Sequence, residues 1–125
     1  MVEKIGRWTG DPEGEQVAEL PRSYRAYWAN PKRRHPAIAL DIRKRGGVCE
    51  GFSYALLVKR RYLPGGEIVL TFTTDAVSIR GRNLRPLYDE LVRHNVDYIQ
   101  EFDPYGFDEP EEGETCIEAF YIEPC

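Results

Sequence analysis

Apolar and polar residues alternate through the middle of the chain with the period of two that is typical of β-strands. Ile38, Leu40 and Ile42 alternate with small or charged residues, which predicts a strand with one buried face. The segment 52–63 alternates in the same way, and the turn sequence LPGG at its end favours a strand over the helix that its helix-forming residues would also permit. Further strands are predicted over 67–74, 76–80, 96–102 and 116–123.

The apolar period changes to that of an α-helix after residue 83. One face of this helix is formed by Leu84, Leu87, Tyr88, Leu91 and Val92, which recur at intervals of three and four residues. Asn83 is a favourable N-cap, and Pro86 is tolerated in the first turn because the amide that it lacks would have no partner within the helix. Asn95 can adopt the left-handed conformation that ends many helices, so a helix is predicted over 84–94.

These elements predict a single-domain α+β fold. We expect an antiparallel-rich sheet of about five to six strands, with the helix 84–94 as the one main amphipathic helix packed on it. If the strands 76–80 and 96–102 are parallel neighbours, the helix between them is a right-handed crossover.

The first third of the chain lacks this regular pattern. Residues 1–36 contain four prolines and three glycines, so we interpret them as an irregular N-terminal arm that packs on the α+β domain of residues 37–125. A short helix that begins at Asp11 is expected within the arm. Residues 103–114 form an acidic loop of the domain.

The composition is that of a folded protein, with 42% hydrophobic and 30% charged residues. No apolar run approaches the roughly 20 residues that a membrane-spanning helix needs, and residues 1–15 lack the apolar centre of a secretory signal. These features predict a cytoplasmic protein without a membrane partner. The three cysteines are widely spaced and form no C-x-x-C pair, so neither a disulfide framework nor a metal or cofactor site is predicted.

Charge is distributed unevenly along the chain, although the net charge is only −4. Residues 22–61, the basic segment, contain eleven Lys and Arg against two acidic residues. Residues 95–125, the acidic segment, contain ten Asp and Glu and no Lys or Arg. This separation is suited to electrostatic contact between subunits or with a partner.

Arginines alternate with aromatic rings in the first part of the basic segment, a combination that can hold phosphates and stack bases. Two further arginine sets follow the strand 38–42 and lie within 52–63, and pairing of these strands would place them on one face. A last set precedes the helix, whose N-terminal amides can also hold an anion. The candidate anion-binding or nucleic-acid-binding residues are Arg22, Arg25, Lys32, Arg33, Arg34, Arg43, Arg45, Lys59, Arg60, Arg61, Arg80, Arg82 and Arg85.

Two other interpretations of these residues remain open at the level of the sequence. The charges can be solvated ends of strands and loops, with the aromatic rings covering the core. Alternatively, the acidic segment can lie across the basic segment of the same chain or of a partner subunit.

Catalysis has one candidate nucleophile, Cys49, which lies between Gly47 and Gly51. A thiolate at this position would need His35 or His94 as its base, and nothing in the sequence places either beside it. No catalytic residue is therefore assigned, and a non-catalytic protein is the favoured interpretation.

The leading functional hypothesis is a small, non-catalytic binding or protein–protein interaction module that uses its basic and acidic segments, as a homodimer or within a larger assembly. The alternative is a nucleic-acid-binding regulatory protein that uses residues 22–61. A further alternative is a small enzyme with Cys49 as the nucleophile.

Overall fold

The structure is a computed structural model, and it describes residues 23–125. Arg22 and the helix expected at Asp11 lie outside the described residues. The strands are β1 (Tyr27–Ala29), β2 (Ala39–Arg43), β3 (Cys49–Ser53), β4 (Leu57–Leu63), β5 (Glu67–Phe72), β6 (Asp75–Arg82), β7 (Val96–Gln100) and β8 (Cys116–Pro124), and the helix is α1 (Arg85–Val92). Within residues 23–125, no helix is both long and apolar enough to cross a membrane.

The strands form two sheets of four, which makes this a small single-domain α+β fold, as the sequence predicts. The first sheet has the order β1-β7-β2-β3, and the second has the order β4-β5-β6-β8. All of the strand pairs are antiparallel except β2 with β7. The antiparallel-rich character is therefore as expected, but residues 23–125 form eight strands, which belong to two sheets rather than to one.

The division into two sheets begins where the predicted strand 52–63 is interrupted. A single 3-10 turn, Tyr54–Leu56, separates β3 from β4, and the Ser53 hydroxyl caps it by accepting a hydrogen bond from the amide of Ala55. The Tyr54 side chain is buried, and its hydroxyl donates to the carbonyl of Val96 at 2.6 Å. The turn changes the direction of the chain, so Leu56 and Val58 are exposed instead of sharing the buried face of Phe52.

The first sheet includes a strand that the sequence pattern does not reveal. β1 lies within the segment that was interpreted as an irregular arm, and it pairs with β7. β7 lies between β1 and β2 in the first sheet, whereas β6 belongs to the second sheet. The predicted strands 76–80 and 96–102, which correspond to β6 and β7, are therefore not neighbours. The helix between them therefore connects the two sheets and is not a crossover within one sheet.

One hydrophobic core lies between the inner faces of the two sheets and α1. The two sheets meet where the rings of Phe52 and Phe72 stack with their centres 4.8 Å apart. The helix contributes the fully buried Leu87 and Leu91, and its Tyr88 ring lies 5.6 Å from the ring of Tyr62 on β4. The other large, fully buried residues are Leu40, Ile42, Ile68, Leu70, Val77, Ile79, Val96, Ile99 and Ile117.

Both ends of the helix differ by one residue from the predicted caps. Leu84 is the N-cap, because Asn83 itself has a left-handed backbone with φ of 56°. The side-chain amide of Asn83 donates to the carbonyl of Glu114. At the other end, His94 takes the left-handed conformation with φ of 55°, while Asn95 donates its side-chain amide to Glu90. Contacts with neighbouring segments therefore decide which residue adopts the left-handed backbone.

Candidate functional site

The outer face of the first sheet brings together residues that are distant in the sequence. The strand register aligns Trp28 of β1 with Tyr98 of β7, Tyr98 with Asp41 of β2, and Asp41 with Gly51 of β3. Leu40 and Ile42 are fully buried, so the residues that alternate with them point outward. We call the residues Arg25, Trp28, Asp41, Arg43, Gly51 and Tyr98 the arginine–aromatic face.

Two guanidinium groups lie over two aromatic rings on this face. The Cζ atom of Arg43 is 3.9 Å from the centre of the Tyr98 ring, and its Nε donates to the Asp41 carboxylate at 3.0 Å. The Cζ atom of Arg25 is 4.9 Å from the centre of the Trp28 ring. Trp28 nevertheless keeps 39% of its surface exposed. The arrangement is a flat surface of π-systems and delocalised positive charge.

The row of aligned residues ends in open space at Gly51. A Cβ atom placed on this glycine would have no neighbouring atom within 4 Å. The backbone of β3 is therefore accessible beside the Asp41 carboxylate, and a flat ligand could lie against it without meeting a side chain.

A basic loop follows β1 directly, two residues beyond Trp28. Within this loop Arg33 is fixed, since its Nη2 contacts both oxygens of Asp97 at 2.5 and 2.6 Å and its Nε donates to Asn95 at 2.8 Å. Lys32 and Arg34 are exposed, and neither forms an ion pair with any residue in the range 23–125. Arg33 therefore shapes the loop, while its two neighbours present their charge to solvent.

The acidic segment neutralises part of the basic segment within the same chain. Asp97 holds Arg33, and Glu101 accepts the backbone amide of Arg45 at 2.8 Å while its other oxygen lies 3.8 Å from the Arg45 guanidinium. Of the alternatives left open by the sequence, contact within one chain therefore accounts for these charges.

The candidate residues of β4 do not join the arginine–aromatic face, because β4 belongs to the second sheet. Lys59 and Arg61 are exposed on the outer face of that sheet, opposite Thr71 and Val69 of β5. Arg60 points the other way, and its Nη1 is 3.4 Å from Nε2 of His94. The expectation that paired strands unite all of these arginines on one face is therefore wrong.

The arginines near the start of the helix are occupied by carboxylates of the same chain. Arg82 lies 3.3 Å from Glu118, and Arg85 donates to Asp89 at 3.0 Å. Arg80 lies 3.8 Å from Glu67 on the second sheet. An external anion at this helix end would have to compete with these carboxylates.

The catalytic candidate Cys49 finds little support from the geometry. Cys49 is exposed on β3, where the only hydrogen bond of its thiol in the described residues is a long one, 3.9 Å, to the carbonyl of Gly47. His94 instead stacks on Tyr54, and His35 lies exposed in the loop after β1. No group of three or more His, Cys, Asp and Glu side chains in residues 23–125 is arranged to hold a metal ion.

Tyr98, Asp41 and Gly51 are not among the residues that the sequence predicts for a binding site. Tyr98 alternates with the buried Ile99, which was a sign that its ring faces outward. Its position beside Asp41 depends on the parallel pairing of β7 with β2, for which the sequence carries no local signal.

No protein-family model matches the chain, and no curated protein or solved structure is significantly similar to it. The function is therefore argued from the chemistry of the surface itself.

Proposed function

We propose that the protein is a small binding module that holds single-stranded nucleic acid on the arginine–aromatic face. The observation that carries the proposal is the alignment of Trp28 with Tyr98 on an open sheet face, with the guanidinium of Arg43 stacked on the second ring. Bases of single-stranded RNA and DNA stack on exposed aromatic rings and on arginine planes. The Trp28 ring and the outer surface of the Arg43 guanidinium each offer such a plane.

The polar groups of the face fit the edges and the backbone of a stacked nucleotide. The Asp41 carboxylate can accept a hydrogen bond from a base amino group, and the open space at Gly51 leaves room for a ring beside it. Lys32 and Arg34, in the adjacent loop, form no ion pair within residues 23–125 and supply positive charge for phosphate groups.

A net charge of −4 opposes the binding of an anionic ligand and weakens it. Few phosphate contacts are available, because Arg33 and Arg45 already pair with Asp97 and Glu101. We therefore expect affinity in the micromolar range at about 50 mM salt, with most of the specificity for single strands coming from stacking.

The test measures the anisotropy of fluorescently labelled oligo-dT and oligo-U, about 12 nucleotides long, on addition of the full chain. The substitution W28A should weaken binding roughly tenfold, since stacking of one base contributes about 1–3 kcal/mol. The double substitution K32E/R34E should also weaken binding and should flatten its dependence on salt.

Two further variants separate stacking from a general loss of structure. Y105A removes an aromatic ring that is 98% exposed and does not belong to the arginine–aromatic face, so it should leave affinity unchanged. G51V fills the open space at the edge of the face, and its valine has no neighbouring atoms to clash with, so binding should weaken in a folded protein. The proposal fails if neither oligonucleotide binds at low salt, or if W28A and Y105A behave alike.

A protein partner that binds through opposite charges has weaker support. Three of the acidic residues that would serve such a contact, Asp97, Glu101 and Glu118, are paired with arginines of their own chain. The outer face of the second sheet is better suited to contact with protein.

A further inference from the structure

The outer face of the second sheet is uncovered by any other described part of the chain. On β5 and β6, buried residues such as Leu70 and Val77 alternate with outward ones, so the outer face is continuous across four strands. Most of its centre consists of small or β-branched residues, among them Ala76 and Ser78, which are only partly exposed, and the ion pair of Glu67 and Arg80 lies at one end of it. At its edge Tyr121 of β8 keeps 52% of its surface exposed.

Opposite charges lie at the two edges of this face. The register aligns Lys59 of β4, through β5 and Ala76 of β6, with Glu123 of β8. The next row runs in the same way from Arg61 to Tyr121. Each of these two rows therefore begins with a cation on β4, ends with a carboxylate or an aromatic ring on β8 and is uncharged in between. In the third row, Glu67 of β5 and Arg80 of β6 are aligned at the centre as an ion pair.

A second copy of the same chain fits this pattern. When two such faces meet across a two-fold axis that runs parallel to the strands, between β5 and β6, each row lies over the same row of the other copy in the reverse order. Lys59 then faces the partner's Glu123, and Arg61 faces the ring of the partner's Tyr121. An axis perpendicular to the strands would instead place Lys59 over the partner's Lys59, so the charges select the first arrangement.

The small residues at the centre allow two sheets to approach to the usual distance of about 10 Å, with an angle of about 30° between strands. Four strands at about 4.8 Å spacing and about six residues in length give a contact on the order of 400 Å² per copy. This is at or below the lower limit for stable interfaces, about 1,000–1,200 Å² for both partners together. The geometry therefore corresponds to a weak and reversible dimer.

We propose that two copies of this chain associate through the outer faces of their second sheets, with Lys59 and Glu123 paired across the two-fold axis. This contact is independent of nucleic-acid binding, because it uses the face of the molecule opposite to the arginine–aromatic face.

Sedimentation velocity of the full chain between about 5 and about 500 µM tests the proposal. The dimer fraction should rise with concentration. It should fall in about 0.5 M salt, because salt screens the two symmetry-related pairs of Lys59 with Glu123. K59E and E123K should each shift the protein to the monomer, because each places like charges opposite one another.

The double substitution K59E/E123K decides between a specific contact and a general effect of charge. It restores opposite charges across the proposed axis, so it should recover the dimer that either single substitution loses. R34E changes the charge by the same amount in the loop of the first sheet and should leave association unchanged. Circular dichroism of each variant confirms that both exposed positions tolerate the change.

A chain that stays monomeric at every concentration overturns the proposal, as does a double variant that remains monomeric when the wild type dimerises. In the first case, the labelling rate of a cysteine introduced as S78C shows whether another segment of the same chain covers the face. A dimer that is insensitive to K59E and E123K would assign association to a different surface and would equally refute this one.

Discussion

Adjacent arginines of this protein differ in their contacts and in their exposure to solvent. Arg33 contacts both oxygens of Asp97 and the side chain of Asn95, and its side chain is only 22% exposed. Arg34, the next residue, is exposed and unpaired among the described residues. A count of basic residues treats the two alike, whereas only Arg34 is available to a ligand. Reversal of charge at Arg33 would leave Asp97 without its partner and would change the fold as well as the surface.

His94 is the residue whose charge is most closely coupled to the fold. Its ring stacks on Tyr54 with the centres 4.6 Å apart, and its Nε2 is 3.4 Å from Nη1 of Arg60. Its carbonyl accepts the amide of Ala37 at 2.8 Å, so it also joins α1 to the first sheet. Burial and the nearby positive charge of Arg60 both lower the pKa of His94 from its ordinary value.

The lowered pKa of His94 predicts a loss of stability in mild acid. The unfolded chain binds a proton at His94 more readily than the folded chain does, so the free energy of unfolding should decrease as the pH falls below about 6.5. H94N, which tolerates the left-handed backbone, should show a smaller decrease between about pH 7.5 and about pH 5 in urea denaturation. H35N changes the exposed histidine and should keep the wild-type slope. Equal slopes for the wild type and H94N would contradict the prediction.

At the scale of the elements, alternation of apolar residues predicts strands where one face is buried and the other is open. β2, β5 and β6 meet this condition, and the predicted strands 38–42, 67–74 and 76–80 agree with them closely. Ile38 is the exception, since it precedes β2 and is 85% exposed instead of sharing the buried face of Leu40 and Ile42. The predicted strand 52–63 fails because the alternation continues through the 3-10 turn, although the buried Tyr54 and the exposed Leu56 belong to no strand. The capping hydroxyl of Ser53 was the available sign of a turn.

The pairing of β6 with β8 depends on a glycine. The register shifts between Arg80 and Gly81, and a Cβ atom at Gly81 would lie only 2.0 Å from the carbonyl oxygen of Cys116. The amide of Gly81 also donates to the carbonyl of Gly66 in the turn between β4 and β5. Backbone therefore meets backbone at a point where no side chain fits.

G81A should lower the free energy of unfolding by about 2 kcal/mol or more, because the backbone atoms it meets cannot rotate away. G65A is the matched control, since a Cβ at Gly65, in the neighbouring turn, has no atom within 4 Å. Its effect should stay within about 0.5 kcal/mol. Urea denaturation of both variants measures the difference, and similar stabilities for the two would show that β6 and β8 can separate at little cost.

At the scale of the whole molecule, Tyr24 ties the two sheets together beyond their shared core. Its hydroxyl donates to the carbonyl of Gln100 at 2.5 Å and accepts the amide of Ile117 at 3.0 Å. The first contact is at the end of β7 and the second is at the start of β8. Burial raises the pKa of Tyr24 well above its ordinary range, so the hydroxyl stays protonated and can serve both bonds.

Y24F should destabilise the protein by about 1–3 kcal/mol, because it leaves a carbonyl and an amide without partners at the junction of the sheets. Y27F is the control, since the Tyr27 hydroxyl forms no hydrogen bond within residues 23–125. The two variants lose the same atom, so thermal unfolding compares them directly. A Y24F protein as stable as Y27F would mean that the core alone joins the sheets.

The candidate site could be predicted only in part, because some of its residues are brought together by the packing of the whole chain. Arg25 and Trp28 are near one another in the sequence, and their alternation of charge and ring was already a sign of stacking. Tyr98 and Asp41 meet only because β7 pairs with β2 in parallel. Such a pairing depends on the packing of the whole chain, because neither strand's own pattern specifies its neighbour.

The order β1-β7-β2-β3 also has a consequence for the time course of folding. β4, β5 and β6 follow one another through short turns, so this meander can assemble as soon as it leaves the ribosome, at a small entropic cost of loop closure. The first sheet, in contrast, keeps a gap between β1 and β2 until β7 has been synthesised. A nascent chain that ends before Val96 can thus form a three-stranded meander but has no Tyr98 beside Trp28, and the surface proposed to bind nucleic acid comes into existence only after β7 has been synthesised.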